Sequence, residues 1–249
     1  MGTSSDSPPL PVSAPVAGHG FALAGAALVA RPSGALWRPE RRLLAVADLH
    51  LGKSERLARR GGALLPPYET EATLDRLDAE IAALDPAEVI CLGDSFDDPA
   101  AAAGLAPQAR TRLEAMAAGR RWIWAEGNHD PGPNGITAPG MVHVAEWRDG
   151  PLVFRHIAAR ETTPGTAEVS GHYHPTGRLP GGGGARPCFV LTGARLILPA
   201  FGAFTGGLCA RDPAIRALAP AGLALLLGPR VTPVPRAARR PIPRLAARA

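Results

Sequence analysis

The sequence predicts an α/β fold built on mixed β-sheets, and three observations carry that reading. Short apolar runs recur, and four end in a polar cluster: LAVADLH at 44–50, EVICLGD at 88–94, RWIWAEGNHD at 121–130 and EVSGHYH at 168–174. Stretches with helical spacing separate the early runs, as parallel βα units require. The later half is mostly short runs joined by turn dipeptides, so a second sheet made of hairpins is expected. Ligands of such folds collect beyond the carboxyl ends of the strands, where all four clusters fall.

Taken in order, residues 1–17 are rich in Pro and Ser and are expected to be a disordered tail. Leu28–Ala30, Ala35–Trp37 and Leu43–Ala47 read as strands, with Arg31 to Gly34 as the first turn. Residues 51–67 form a Gly- and Arg-containing connection. Leu74, Leu77, Ile81 and Leu84 share one helical face in a helix over 70–84, with Thr70 as its cap and Asp85-Pro86 as its stop. Glu88–Leu92 is a strand, residues 106–119 a helix closed by Gly119, and Arg121–Ala125 another strand. Trp147–His156 reads as a hairpin through Asp149-Gly150. Glu168–Ser170, Cys188–Leu191, Arg195–Leu198 and Leu223–Leu227 complete the strands, with a flexible loop at Gly181–Gly184.

The 249 residues, 46% of them hydrophobic, suffice for one core, placed at 18–227. The net charge of +5 belongs to the ends. Six arginines and no acid lie at 228–249, and Asp6 is the only charge at 1–17, so the body is neutral. A general basic surface for nucleic acid is therefore not indicated. Cys91, Cys188 and Cys209 are widely spaced and expected to be buried free thiols in a reducing compartment. The apolar stretch 21–30 is too short to cross a bilayer, and no basic leader precedes it, so a cytoplasmic location without membrane contact is expected.

The clusters speak as chemistry. Asp48 and His50 are two apart at a strand end, so both side chains can aim at one point. With Asp94, Asn128, His156, His172 and His174 they offer two carboxylates, four imidazoles and one amide oxygen. Seven donors exceed one open metal site and suit two divalent ions sharing a carboxylate. Mixed N/O donors favour Mn, with Fe or Zn possible, over Mg or Ca. Five of the seven histidines lie in these clusters or at His156, which argues against incidental placement.

DLH at 48–50, GD at 93–94, GNHD at 127–130, His156 after a strand and GHYH at 171–174 resemble the five motifs of calcineurin-like metallophosphoesterases. The resemblance implies an α/β/β/α sandwich of two mixed sheets with a dinuclear centre. It implies Asp48, His50 and His174 on one ion, Asn128, His156 and His172 on the other, and Asp94 between them. His129 would assist the leaving oxygen and Asp130 would orient His129. Water activated by the metals would attack phosphorus in line, with no protein nucleophile.

A narrower similarity, to bacterial ligase-associated DNA damage response endonucleases, rests on LLPPYET at 64–70, LGDSFDD at 92–98, GNHDP, GHYHP and LPAFGAFTGGL at 198–208. It implies a DNA endonuclease acting in repair with an ATP-dependent DNA ligase, a helicase and an exonuclease. Gly52, Ser54-Glu55 and Ile157-Ala158 depart from that pattern without touching a presumed ligand.

Weaker expectations concern substrate. Lys53, Arg56, Arg59 and Arg60 could meet a nucleic-acid backbone, and Tyr173, Phe96 and Phe201 could stack on a base. Asp97 could hold a ligand histidine, while His19 and His143 read as incidental. The rival functions are a small-molecule phosphoesterase, which the neutral body suits, a GDS-type serine esterase through Ser95, and a non-catalytic repair partner.

Overall fold

The computed structural model describes residues 17–62, 65–133, 135–136 and 138–236. The segment 1–16 of the expected disordered tail and residues 237–249 of the Arg/Pro-rich tail lie outside the described residues.

The first sheet follows chain order: β1 (His19–Leu23), β2 (Ala26–Ala30), β3 (Leu36–Arg38), β4 (Leu43–Val46), β5 (Glu88–Leu92), β6 (Arg121–Ala125) and β7 (Met141–Val144). β1 to β4 form an antiparallel meander, and β4 to β7 run parallel. Helices α1 (Lys53–Arg59), α2 (Glu69–Leu84), α3 (Pro99–Ala103) and α4 (Pro107–Ala117) fill the crossovers.

The second sheet comprises β8 (Trp147–Asp149), β9 (Leu152–Arg155), β10 (Ala167–Ser170), β11 (Thr176–Gly177), β12 (Arg186–Leu191), β13 (Arg195–Ile197), β14 (Gly222–Leu226) and β15 (Thr232–Arg236). Its order is β15-β14-β12-β13-β10-β9-β8, with β11 beside β12. The hairpin through Asp149-Gly150 forms as expected, pairing Trp147 with Phe154. One short helix, α5 (Pro213–Leu218), packs on the outer face.

Strand alternation builds three apolar layers. In β4, Leu43 and Ala45 face the second sheet and meet Phe154, Val169 and Phe189 in one cluster. Leu44 and Val46 face the opposite way, onto Leu74, Leu77 and Ile81 of α2 and Leu113 of α4. Because both faces are covered, β4 to β6 read as unbroken apolar runs rather than alternating ones. The result is the α/β/β/α sandwich of two mixed sheets. None of the described helices is long and apolar enough to cross a membrane.

Several local expectations are corrected. Thr70 does not cap its own helix; α2 begins at Glu69, and Thr70 Oγ1 accepts from the Gly52 N–H at 3.0 Å. Leu223–Leu227 is not the last strand, because Thr232–Arg236 pairs antiparallel with β14, beyond the boundary drawn at 227. Pro233 and Pro235 are tolerated there because they sit two apart on an edge strand, so both missing N–H groups fall on the outer side. The stretch 51–67 contains α1, and β1 and β7 arise in segments with no strong period. Cys91 and Cys188 are buried, but Cys209 is exposed.

One buried ion pair ties the sheets together. Arg38 of β3 lies 2.5 Å from Asp149 Oδ2 of β8 and donates to the Asp149 carbonyl at 3.0 Å. Asp149 Oδ1 also lies 3.2 Å from Arg41 at the surface, so it is removal of Asp149 that strands a desolvated charge, on Arg38. Asp149→Ala is expected to cost about 3–5 kcal/mol in urea unfolding, and Arg38→Met with Asp149→Leu to recover most of it. A single variant as stable as wild type would refute this role for the pair.

Candidate metal centre

Sheet register brings the motif loops together. Val46 pairs with Cys91 and Cys91 with Trp124, so the loops at Asp48, Asp94 and Asn128 leave one edge of the first sheet. Arg155 pairs with Ser170, so His156 and the loop at His172 leave the neighbouring edge of the second. Short backbone bonds stitch the loops: His50 N–H to the Asp94 carbonyl at 2.9 Å, and Gly171 N–H to the His156 carbonyl at 3.0 Å.

This crowding is strained. Asp48, His50, Asp94, His172 and His174 all have φ between 43° and 71°. They are five of the nine described non-glycine residues with positive φ, so left-handed backbone is concentrated on the candidate donors. Two glycines make room. A Cβ on Gly93 would stand 2.4 Å from the His156 ring, and one on Gly127 would stand 2.1 Å from the Asp94 nitrogen.

The donors converge in two groups, Asp48 with His50 and His174, and Asp94 with His156 and His172, each with atoms within 4.8 Å of one another. Asn128 joins the second, its Oδ1 being 3.0 Å from His156 Nε2. Asp94 faces both, with Oδ1 3.3 Å from His156 Nε2 and Oδ2 3.9 Å from His50 Nε2.

The outward ring nitrogens reveal what the groups are built to hold. His174 Nδ1 donates to the Gly206 carbonyl at 3.0 Å, and His156 Nδ1 to the Leu92 carbonyl at 3.1 Å. His50 Nδ1 lies 2.8 Å from Asp97 Oδ1, an ion-pair contact outside hydrogen-bond geometry. With protons fixed on Nδ1, the neutral rings present bare Nε2 lone pairs. Yet His50 Nε2 faces His174 Nε2 at 3.4 Å, and His156 Nε2 faces two oxygens. Acceptor facing acceptor is repulsive unless a cation or proton lies between them. The donor set therefore fits divalent metal.

Charge reinforces the point. Burial alone would raise Asp94, but the hydrogen bond and charge of His156, the His129 N–H and His50 outweigh it and hold Asp94 down at about 2. Burial would lower His156 and His174, but Asp94 and Asp48 respectively dominate and raise both. His172 is lowered by burial and by neighbouring His156.

Other expected residues are placed as follows. His129 is partly exposed, its Nε2 3.9 Å from Asp94 Oδ2. Its Nδ1 lies 2.8 Å from the Asp97 carbonyl, so that carbonyl, and not Asp130, fixes the ring. The Asp130 carboxylate instead accepts the Ser95 and Phe96 N–H groups at 2.8 and 3.2 Å, and burial pushes it up to about 6. Asp97 does hold a candidate ligand histidine, and it also pairs with Arg56. Arg56 is thereby committed to the support of His50, and Arg59 and Arg60 are committed to Asp98. Lys53 is half-buried and has no carboxylate partner among the described residues. Tyr173 is half-buried, its ring edge-on to His172 at 5.0 Å. Phe96 and Phe201 are fully buried core residues, unavailable for stacking. Ser95 is buried with no partner for its hydroxyl, which removes the serine esterase reading. An open cleft of about 410 Å³ borders Asn128 and His156.

The carbonyls of Leu92, Asp97 and Gly206 were not foreseen, since a backbone acceptor has no signature in residue type. The LPAFGAFTGGL stretch was the available hint for Gly206.

A pH prediction follows from the raised imidazoles. In the metal-free protein, charged His156 and His174 stabilise the fold below the ordinary imidazole value, and that contribution is lost as pH rises through their raised values. Metal competes with those same protons. Manganese affinity, measured by calorimetry, is expected to be at least about tenfold weaker at pH 5.5 than at pH 7.5. Affinity independent of pH would contradict the assignment.

Comparison with known proteins gives a consistent result. A profile of the calcineurin-like phosphoesterase family matches residues 41–182, a span holding all seven candidate donors. Among solved structures, the chain is similar to the Pseudomonas putida nuclease MPE at 30% identity. The alignment has a TM-score of 0.66 and covers 87% of this chain and 99% of that one. A search of curated proteins finds no match. With the matched span exceeding half of the chain and enclosing both donor groups, the protein belongs to the calcineurin-like phosphoesterase family and is a metal-dependent phosphoester hydrolase.

Proposed function

We propose that the protein is a nuclease-type phosphodiesterase that uses two divalent ions, Mn(II) by preference, and acts on DNA. The observation that carries this reading is the pair of donor groups joined by Asp94 and opening to solvent beside His129. Similarity to a nuclease supports the diester substrate. The ligase, helicase and exonuclease implied by the motif resemblance are the proposed partners in repair.

When bound, ions held by Asp48, His50 and His174 and by Asn128, His156 and His172, with Asp94 shared, would supply Lewis acidity and activate water at neutral pH. The chain's own residues do the positioning. The carbonyls of Leu92 and Gly206 fix His156 and His174, and the Arg56–Asp97 pair steadies His50. His129 keeps one proton on Nδ1 against the Asp97 carbonyl, so Nε2 can give up a proton only from the charged ring. Its exposure lets it recover that proton from solvent. Ser95 and Cys91 are buried, which supports water rather than either side chain as the nucleophile.

The test is parallel hydrolysis of a bis-aryl phosphodiester and the matching monoester by manganese-reconstituted protein. The diester is expected to be preferred, and EDTA to abolish turnover. His129→Ala should lower kcat on the diester by about 10²–10⁴-fold with metal content unchanged. Preference for the monoester would overturn the diesterase reading. DNA affinity should fall steeply with salt; the absence of such binding would favour the small-molecule phosphoesterase.

A further inference from the structure

A second pocket lies on the outer face of the second sheet and is lined by none of the candidate metal donors. Its volume is about 560 Å³, and β11, β14, β15 and residues 207–211 form its walls. Leu179, Leu226 and Val234 supply apolar surface, and Arg178, Arg211 and Arg236 supply charge. No Asp or Glu lines it.

Arg236 is the anomaly. Four described arginines are buried: Arg31, Arg38, Arg195 and Arg236. Three have carboxylate partners, Glu80 at 2.8 Å, Asp149 at 2.5 Å and Glu168 at 3.3 Å respectively. Arg236 has none among the described residues. It gives one bond, from Nη2 to the Ala210 carbonyl at 2.5 Å, and leaves buried Nε and Nη1 unpartnered. Burial pushes the neighbouring Cys188 thiol up to about 12, so it is no counter-ion. A desolvated guanidinium without an anion is costly to fold around, and the pocket beside it is large enough to receive one.

We propose that this pocket binds a phosphate-bearing ligand of nucleotide size, with Arg236 as its deep anchor and Arg178 and Arg211 at its mouth. Guanidinium forks match phosphate oxygens, and the apolar walls suit the body that carries the phosphate. The ligand is a free nucleotide or a phosphate of a nucleic-acid strand; the chemistry of recognition is shared. Gly207 in the wall follows Gly206, whose carbonyl holds His174, so the pocket abuts the metal centre through one strap. The proposal does not depend on the activity of that centre.

Cys209 provides a local reporter, since it lines the pocket and is exposed while Cys91 and Cys188 are buried. The experiment measures alkylation of Cys209 by neutral iodoacetamide in the full-length, manganese-loaded protein, read by peptide mass spectrometry. The probes are sodium acetate, inorganic phosphate, deoxyadenosine 5′-monophosphate and a short phosphorothioate oligodeoxynucleotide, at matched ionic strength. The nucleotide or the oligonucleotide is expected to slow labelling about fivefold or more at saturation. Arg236→Met should weaken that protection about tenfold, and Arg211→Gln, an exposed position, about three- to tenfold. Protection by the mononucleotide points to a free nucleotide, and protection by the oligonucleotide alone to a strand. The proposal is overturned if no phosphate probe protects, or if acetate protects equally. Protection unchanged in Arg211→Gln and in any folded Arg236→Met protein would overturn it as well.

Discussion

Asp94 is the residue on which the site turns. Its carboxylate is buried, faces imidazoles of both donor groups and accepts the His129 N–H at 2.9 Å. A buried carboxylate with that many donors around it is held charged. The charge in turn fixes the demand of the site. Bare imidazole nitrogens and carboxylates converge at distances that only a cation or a proton makes favourable. The loops cannot relax away from this arrangement, because backbone bonds between them lock each loop against its neighbour.

That locking explains where strain lies and what bears it. Left-handed backbone at five candidate donors is tolerable only if the flanking strands are rigid. Leu44, Val46, Ile90, Leu92, Trp122 and Trp124 are essentially inaccessible, covered by helices on one face and by the second sheet on the other. Packing energy in the strands thus stabilises strained geometry in the loops, the usual division between scaffold and site. The second sheet contributes chemistry as well as cover, since His156, His172 and His174 all come from it.

Buried polar groups in the body follow a consistent logic of pairing. Arg38 with Asp149 joins the sheets, Arg31 with Glu80 ties a turn to α2, and Arg195 with Glu168 spans two strands. Glu69, almost fully buried, accepts from Ser54 and Thr70 and so links α1 to the start of α2. Against this background an unpaired group stands out. The candidate metal donors and Arg236 are two such places, where buried charge or lone pairs are not completed by the described side chains around them.

The sequence by itself determined the α/β class, the strands that end in polar clusters, and the inventory of seven candidate donors with His129. These features depend on local pattern: apolar runs of strand length, helical spacing at Leu74, Leu77 and Ile81, and the order of the motifs. Tertiary structure alone decided how the donors are oriented, because the acceptors that aim His156, His174 and His129 are main-chain carbonyls. It also reassigned Asp130 from His129 to the Ser95 and Phe96 N–H groups, and Arg56 from substrate to Asp97. The strand at Thr232–Arg236 escaped sequence reading since two prolines are compatible with strand only on an edge, and an edge exists only once the sheet is assembled. Partners distant along the chain are chosen by the fold, whereas residue type declares only what each group is able to do.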